Sequence, residues 1–600
     1  MKKSSLSVSL CIPLFCLPVY ADVNYSIDVN EPEHHLAKVE IQFPKTKSTA
    51  LKVNLPIWRT GKYQILPLAD NVRLFTASNE QGELLPWQRT ASGEWQIELS
   101  EPESVTISYQ LHANLLGQRV NHISSTHAFL DASGTFMYSP EFRGDKVNVS
   151  LSVPAGWKSY SGMEKGERGH DFVAANYNVL VDSPIESGLN QYREFSVEGK
   201  QYELVVWGQG NYDLQNIVTD LTKLSSQAQV IWKGYPFSRY LYMVHATSGE
   251  SGATEHLNST IIQKPRFSFN EREDYLSFIK TAAHEFIHTW NVKAYRPKGL
   301  VPYDYQHEKL SELLWMAEGS TSYFGSQLLL RAGIITPQEF FEDLAKRIAL
   351  SQLTPGNKVQ SVAEASVNQW VSTGDDYAIN NSVNIYSEGY LTSLALDFSL
   401  LDTTSLAVSY RDVHSQLYQH HSVPKTYDVD DVKTILKTLS GQDYQEWWSK
   451  YVESPVQLDF NTLLKHAGLI LNHGYDPKMK PFAGMVLEEG SLVLTQVLRD
   501  SPAWNAGLSI GDELLAINEL KITTEGVEKR LNDFNVGEII NLTVFQEEQL
   551  KSVALRLKEQ QSAPLQLKSV ASPTQEQKAF FTAWLGIQWP FDEKGAWSKL

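Results

Sequence analysis

HEFIHTWNVKAYRPKGLVPYDYQHEKLSELLWMAEGSTSYF spans residues 284–324 and opens with His284-Glu285-Phe286-Ile287-His288. On a helix, residues i and i+4 share one face, so the two imidazoles can hold one metal ion together. Glu285 is rotated about 100° from His284, which places a carboxylate beside water on that metal. Zinc acidifies such water and the glutamate takes its proton, the arrangement a zinc hydrolase needs. Helical spacing surrounds the motif from about Glu271 to Val292. Tyr275, Phe278, Ile279, Ala282, Ala283, Phe286, Ile287 and Trp290 make one apolar stripe,. Its centre lies near Phe286 and Ile279, and His284 and His288 fall roughly opposite. They face solvent or a cleft, and a second helix must supply the rest of the site. The pattern predicts that helix over 308–330. Glu318 on it is a candidate third ligand, in competition with Glu308, Glu312 and His307.

The flanking sequence divides by period. From Asp22 to about Glu186, segments such as HLAKVEIQF, GEWQIEL and SVTISYQL alternate apolar with polar positions, as half-buried strands of an antiparallel sandwich do,. After Tyr212 the spacing becomes helical, RYLYMVHAT (239–247) reads as a strand, and helical patterns dominate from Glu308 to about Gly468. Strands return over about 472–557. There VLTQVLRDSPAWNAGLSIGDELLAINELKIT (493–523) carries a strand, a one-turn helix closing at Gly507, and a second strand. That stretch resembles a PDZ domain over about 80 residues. Its preferred partner would be an extended peptide or protein C-terminus taken by strand addition. FAGMV (482–486) is the candidate carboxylate-binding loop, through the amides of Gly484, Met485 and Val486. EQQSAP (559–564) reads as a short linker,.

Composition bounds the function. The 600 residues carry 52 basic and 69 acidic side chains, a net charge of −17. A diffuse negative surface repels phosphate, which disfavours a nucleic-acid partner. Both cysteines, Cys11 and Cys16, lie in the first 21 residues. That stretch has Lys2-Lys3, an apolar run from Leu6 to Val19 and a small-residue end at Ala21, the pattern of a secretory signal peptide. Cleavage after Ala21 would remove two lysines, taking the charge from −17 to −19, and would leave no cysteine. An exported chain, periplasmic or extracellular, with no integral membrane segment after cleavage is expected.

The motifs together resemble the M61 (glycyl aminopeptidase) metallopeptidases. Their pattern joins His-Glu-x-x-His-x-Trp-Asn to an Arg-Pro and then to Leu-Leu-Trp-x-Ala-Glu-Gly, all present in 284–319. SIDVNEPEHHLAKVEIQFP, LPIWRTGKYQILPLADNV, LVDSPIESG (180–188), SGATEHLNST (251–260) and YVESPVQLDFNTLLKHAGL (451–469) extend the likeness over nearly all of the mature chain. The resemblance implies one Zn²⁺ per chain held by His284, His288 and Glu318, with Glu285 activating water. It implies aminopeptidase action on peptides with a small first residue, glycine or alanine. Glu255, next to Gly252 and Ala253, would anchor the substrate amine. NIYSEGYLTSLALDFSL (384–400) would place Tyr386 as oxyanion donor, with Tyr390 as second choice. Three departures touch the site: Ser322 stands where the family has aspartate, Glu388 where it has lysine, and Gly252-Ala253-Thr254-Glu255-His256 where it has Gly-Gly-Leu-Glu-His.

The expected architecture is multidomain α+β. It comprises a signal peptide (1–21), an N-terminal β-sandwich (22–190), a thermolysin-like, gluzincin catalytic domain (191–335) and its helical region (336–470). A PDZ domain (472–558) and a tail packed on the core (559–600) follow. Two other readings fit the same motifs: a zinc-loaded, weakly catalytic PDZ peptide-binding protein, and an endopeptidase of the same fold.

Overall fold

The computed structural model describes residues 22–600 apart from 118–120, 373, 375, 377, 474–478, 562–563, 594 and 598–600. The expected signal peptide, 1–21, lies outside the described residues. The chain forms two compact units.

The first unit takes in residues up to Pro56, Pro67–Leu115 and Val120–Leu189. Its largest sheet has seven strands, in the spatial order 164–165, 171–174, 147–152, 23–28, 36–43, 105–112, 72–78. Burial alternates strictly along Val23–Asp28 and nearly so along Val105–His112, because successive side chains point to opposite faces. Strand Val23–Asp28 pairs in parallel with Val147–Ser152 and antiparallel with Leu36–Phe43. A three-stranded sheet (50–54, 94–98, 87–91) and a four-stranded one (158–161, 185–188, 127–130, 122–124) complete this β-rich unit.

The second unit contains Asn190–Leu600 and, from within the amino-terminal region, Ile57–Leu66. Residues 57–66, inside the span expected for the β-domain, cluster with this unit. Trp58 is fully buried, donates its indole N–H to the Asp304 carbonyl at 2.6 Å and stacks edge-on with Trp370 at 5.1 Å. Such long-range aromatic anchoring leaves no periodic trace in the sequence.

A five-stranded sheet in the order 191–197, 200–207, 239–247, 259–265, 252–255 lies at the heart of this unit. The last strand, Gly252–Glu255, is antiparallel to Ser259–Pro265 and forms the sheet edge. Helix Arg272–His288 follows, shorter at both ends than the periodicity suggests. The next helix is Leu314–Arg331, so 308–313 lie outside it, against the expected start at 308. Helix Ser387–Thr403 crosses Leu314–Arg331 where two glycines meet. A Cβ on Gly319 would sit 2.4 Å from the Gly389 backbone, so no larger residue fits this crossing,.

Residues 469–569 form a β-rich region with its own core of Leu494, Val497, Leu514, Ile517, Ile540, Leu542, Val544 and Leu555 among others. The linker expected at 559–564 is instead partly strand: Lys558–Gln561 pairs with Met479–Phe482. Helix Gln575–Leu585 is bound through Arg411, which donates to the carbonyls of Ala583 and Trp584 at 2.8 and 2.7 Å. Among the described residues, no helix is long and apolar enough to cross a membrane.

Candidate active site

The C-terminal turn of helix Arg272–His288 carries the first donors. Seven apolar side chains of its stripe are buried against the sheet and neighbouring helices, which pins the opposite, histidine-bearing face toward Leu314–Arg331. His288 Nδ1 meets the Asn291 carbonyl at 2.7 Å. A carbonyl only accepts, so Nδ1 carries the proton and Nε2 of the neutral ring presents a lone pair. Asn291 is itself held by its Nδ2 donating to the Met316 carbonyl at 2.8 Å and to Thr321 Oγ1 at 3.1 Å. The turn after the motif is thereby tied to the helix that bears Glu318. His284 Nδ1 lies 3.1 Å from Ser322 Oγ.

The two Nε2 atoms stand 2.9 Å apart, and Glu318 Oε2 lies 3.4 Å from the first and 3.3 Å from the second. His288 and Glu318 are almost fully buried. Two imidazole lone pairs and a carboxylate oxygen converging in a buried place repel one another unless a cation lies among them. Three protein ligands of N, N, O type are the set a catalytic zinc site uses. Burial opposes charge on His288, but Glu318 outweighs it and lifts this histidine to about 10. Burial likewise works against the Glu318 carboxylate, and His288 with His284 overcomes it, holding Glu318 at about 2.

Glu285 is buried, and burial raises its carboxyl to about 8, into the range where a general base operates,. Among the described residues, its Oε2 has no hydrogen-bond partner. Glu255, at the end of the edge strand, is 3% exposed, and its Oε1 has none either. A buried carboxylate oxygen without a partner is costly and marks a place for a donor. Gly61 closes over Glu255: a Cβ there would fall 2.3 Å from Oε2, and its φ of +81° already favours glycine,. Arg59 donates to Thr254 Oγ1, bracing the same strand.

Tyr386 immediately precedes helix Ser387–Thr403, and the Gly319–Gly389 crossing carries it to the metal site. Its ring centroid is 5.9 Å from that of His284. More than a third of the residue is exposed, yet its hydroxyl lies among carboxylates. Desolvation, then Glu318, Glu255 and Glu285, raise the phenol well above its ordinary value, so it stays a proton donor. A cavity of 380 Å³ joins these parts, lined by Arg59, Gly61, Glu255, Glu285, Glu318 and Tyr386 among others.

Comparison with known proteins meets this geometry from outside. Residues 24–189 match the peptidase M61 N-terminal domain, and 277–392 match M61 glycyl aminopeptidase. The chain is an M61 peptidase. It is similar over 94% of its length, and over 100% of the other chain, to an aminopeptidase N family protein from Idiomarina loihiensis, at 25% identity and a TM-score of 0.86. A fainter likeness, with a TM-score of 0.48 and 12% identity over 73% of this chain and 94% of the other, links it to a mutant M1 zinc metallopeptidase from Deinococcus radiodurans solved with a Tyr-Ser-Ala substrate. No curated protein matches the sequence.

In this M61 peptidase the structure brings His284, Glu285, His288, Glu318, Glu255 and Tyr386 around one cavity. Ala253 lines it as well, and Gly252 opens the strand that carries Glu255. Of the competing ligands, His307 pairs with Asp304 at 3.1 Å, and neither Glu308 nor Glu312 reaches the cavity lining. Tyr390 is buried outside it, under the Arg347 guanidinium at 4.7 Å. Of the three departures from the family, Ala253 lines the cavity directly. Ser322 faces His284 Nδ1 as the aspartate would, without its charge. Glu388 points to Ser351 Oγ at 3.1 Å and Asn357 Nδ2 at 3.2 Å, away from the cavity, and burial raises its carboxyl. Arg59, Gly61, Lys280 and Arg347, which also line the cavity, carry no sequence signal that singles them out. Only the φ-positive Gly61 within RTGKY hints at a turn.

Proposed function

We propose that this peptidase is an exported, zinc-dependent aminopeptidase removing small first residues, glycine or alanine, from peptides. The observation that carries the reading is Glu255: a buried carboxylate with an unsatisfied oxygen, one residue's reach from the metal donors. An exopeptidase must hold an ammonium at a fixed distance from the scissile carbonyl, and a carboxylate does so by a charge-assisted hydrogen bond. The preference for a small residue rests on the family description alone. His284, His288 and Glu318 would hold one Zn²⁺. Bound there, zinc supplies Lewis acidity that polarises the scissile carbonyl and acidifies water. Glu285 then accepts the water's proton and returns it to the leaving amine. Tyr386 donates its hydroxyl to the developing oxyanion, and the free edge of Gly252–Glu255 offers backbone groups to an extended peptide.

Release of aniline from glycyl and alanyl anilides should be abolished by a chelator and restored by zinc. Acetylating the substrate amine should stop it. Continued cleavage of acetylated peptides would show an endopeptidase. Zinc-loaded protein without turnover would leave a peptide binder.

The C-terminal region supports a PDZ-type peptide groove of 460 Å³ between strand Met485–Leu487 and helix Val527–Leu531. Gly484, with φ +77°, turns the loop where a Cβ would strike Ser501 at 2.1 Å. Val486 is 45% exposed along the groove, and Met485 packs partly on the core. Export rests on residues 1–21. The mature N-terminus recovered outside the cytoplasm should read Asp22.

A further inference from the structure

We propose that the cavity continues past the metal donors into a subsite for a carboxylate on the leaving side of the scissile bond, held by Lys280 and Arg347. The inference rests on the aminopeptidase reading for its orientation. Along helix Arg272–His288, Glu255 and Glu285 cluster with His288, their ligand atoms within 4.8 Å of one another. Lys280 lies one helical turn beyond His284 in the other direction, about 6 Å along the axis. With the substrate amine at Glu255 and the reacting carbonyl at the metal donors, the residue after the scissile bond extends toward Lys280. Thr281, Ser322, Gly325, Ser326 and Arg347 line the same cavity. Apart from Arg347 these side chains are small and uncharged.

The charge there is unbalanced. Lys280 Nζ and Arg347 Nε both contact Asp343, each at 2.9 Å. One carboxylate thus answers two cations. Burial works against Asp343, but Arg347 and Lys280 hold its carboxyl below the usual range, so it stays ionised and cannot offset both. Among the described residues, Arg347 uses only Nε for a hydrogen bond, leaving its two terminal nitrogens for another acceptor. Its guanidinium lies over the Tyr390 ring at 4.7 Å, which orients the plane. Glu273, Glu339 and Glu342 border Lys280 from outside, but none lines the metal cavity. Inside it, the acids are Glu255, Glu285 and Glu318, each already placed at the amine or the metal donors. An anion set against the cavity side of Lys280 and Arg347, whose other contacts go to Asp343 outside the cavity lining, meets the terminal guanidinium nitrogens and an ammonium,.

The carboxylate could belong to an Asp or Glu side chain at the second residue, or to the C-terminus of a dipeptide. Two substrate pairs separate these sources in the zinc-loaded full chain: alanyl-glutamate amide against alanyl-glutamine amide, and alanyl-alanine against its amide. At least one pair should show a kcat/KM preference of about tenfold for the charged member. Arg347→Met and Lys280→Met should each bring the ratio toward one. A ratio does not depend on the fraction of protein folded, and the partly exposed Lys280 covers the case in which Arg347→Met fails to fold. A wild-type ratio near one in both pairs overturns the subsite, even with brisk turnover of alanyl anilide. Should no alanyl substrate turn over, the aminopeptidase reading fails instead. Calorimetry of the same pairs with zinc-loaded Glu285→Gln then decides the subsite: tighter binding of the charged member, lost in the Arg347→Met double variant, upholds it, and equal binding overturns it.

Discussion

The active-site cavity and the C-terminal groove are built in two ways, and in the function proposed above each meets a peptide. The cavity is assembled from two long helices and a sheet edge, and its working atoms are buried polar groups fixed by named partners: His288 by Asn291, Asn291 by Thr321, His284 by Ser322. The groove is a three-residue strand with a register shift between Val486 and Leu487, facing a five-residue helix over an apolar core. In the cavity a single misplaced atom removes function, because each group acts at one position on a reacting bond. In the groove, backbone pairing and apolar contact are spread over many atoms, so single changes weaken it by degrees. Catalysis demands preorganisation that simple capture does not.

Four experiments bear on that contrast. Glu285→Gln should keep its metal, since the three proposed ligands remain, and lose turnover by about 10²–10⁴-fold; metal analysis with kcat measures both, and an active variant would break the contrast at its strongest point. The pH profile comes next. Burial lifts Glu285 to about 8 in the metal-free chain, and protonated Glu285 cannot accept a proton, so activity falls as pH drops through its value. A neighbouring dication favours the carboxylate and pulls that value down. The acid limb of kcat/KM should therefore have its midpoint below 8, and a limb centred above 8 would remove Glu285 as its source. Gly319→Ala should cost about 1–3 kcal/mol of stability, because its Cβ must force the two helices apart,. It should also lower kcat by displacing Tyr386 from Glu318; thermal unfolding and kinetics report the two effects. The smallest effect belongs to the groove. Val486→Asp should weaken binding of a C-terminal peptide by less than about tenfold, read by fluorescence anisotropy. A total loss there would mean that the groove is as finely positioned as the cavity.

Much of the cavity was legible beforehand. His284, Glu285 and His288 follow from helical geometry, and the opposed apolar stripe sets the histidines on the cavity side, where His288 is nonetheless almost fully buried. Glu318 and Tyr386 needed the family pattern, since neither spacing nor periodicity separates them from neighbouring acids and tyrosines. The helix boundaries were less legible. Residues 308–313 share the composition of the helix that follows but lie before its first turn at Leu314. Strand Lys558–Gln561 was hidden because a polar run pairs only when a partner, Met479–Phe482, is brought beside it.

The sequence by itself determined the chemistry: two imidazoles on one helical face with a carboxylate about 100° round from the first, strands of period two before them and a β-rich segment after them. These are local consequences of 3.6- and 2-residue repeats, and each element carries its own signal. Only the tertiary structure decided what meets what. It drew Ile57–Leu66 out of the amino-terminal region and laid Gly61 against Glu255. It crossed two helices at Gly319 and Gly389 to deliver Tyr386, turned Glu388 away, and set Lys280 and Arg347 over a single Asp343. Contacts between residues tens to hundreds apart depend on the packing of whole elements, and no repeat along the chain encodes them.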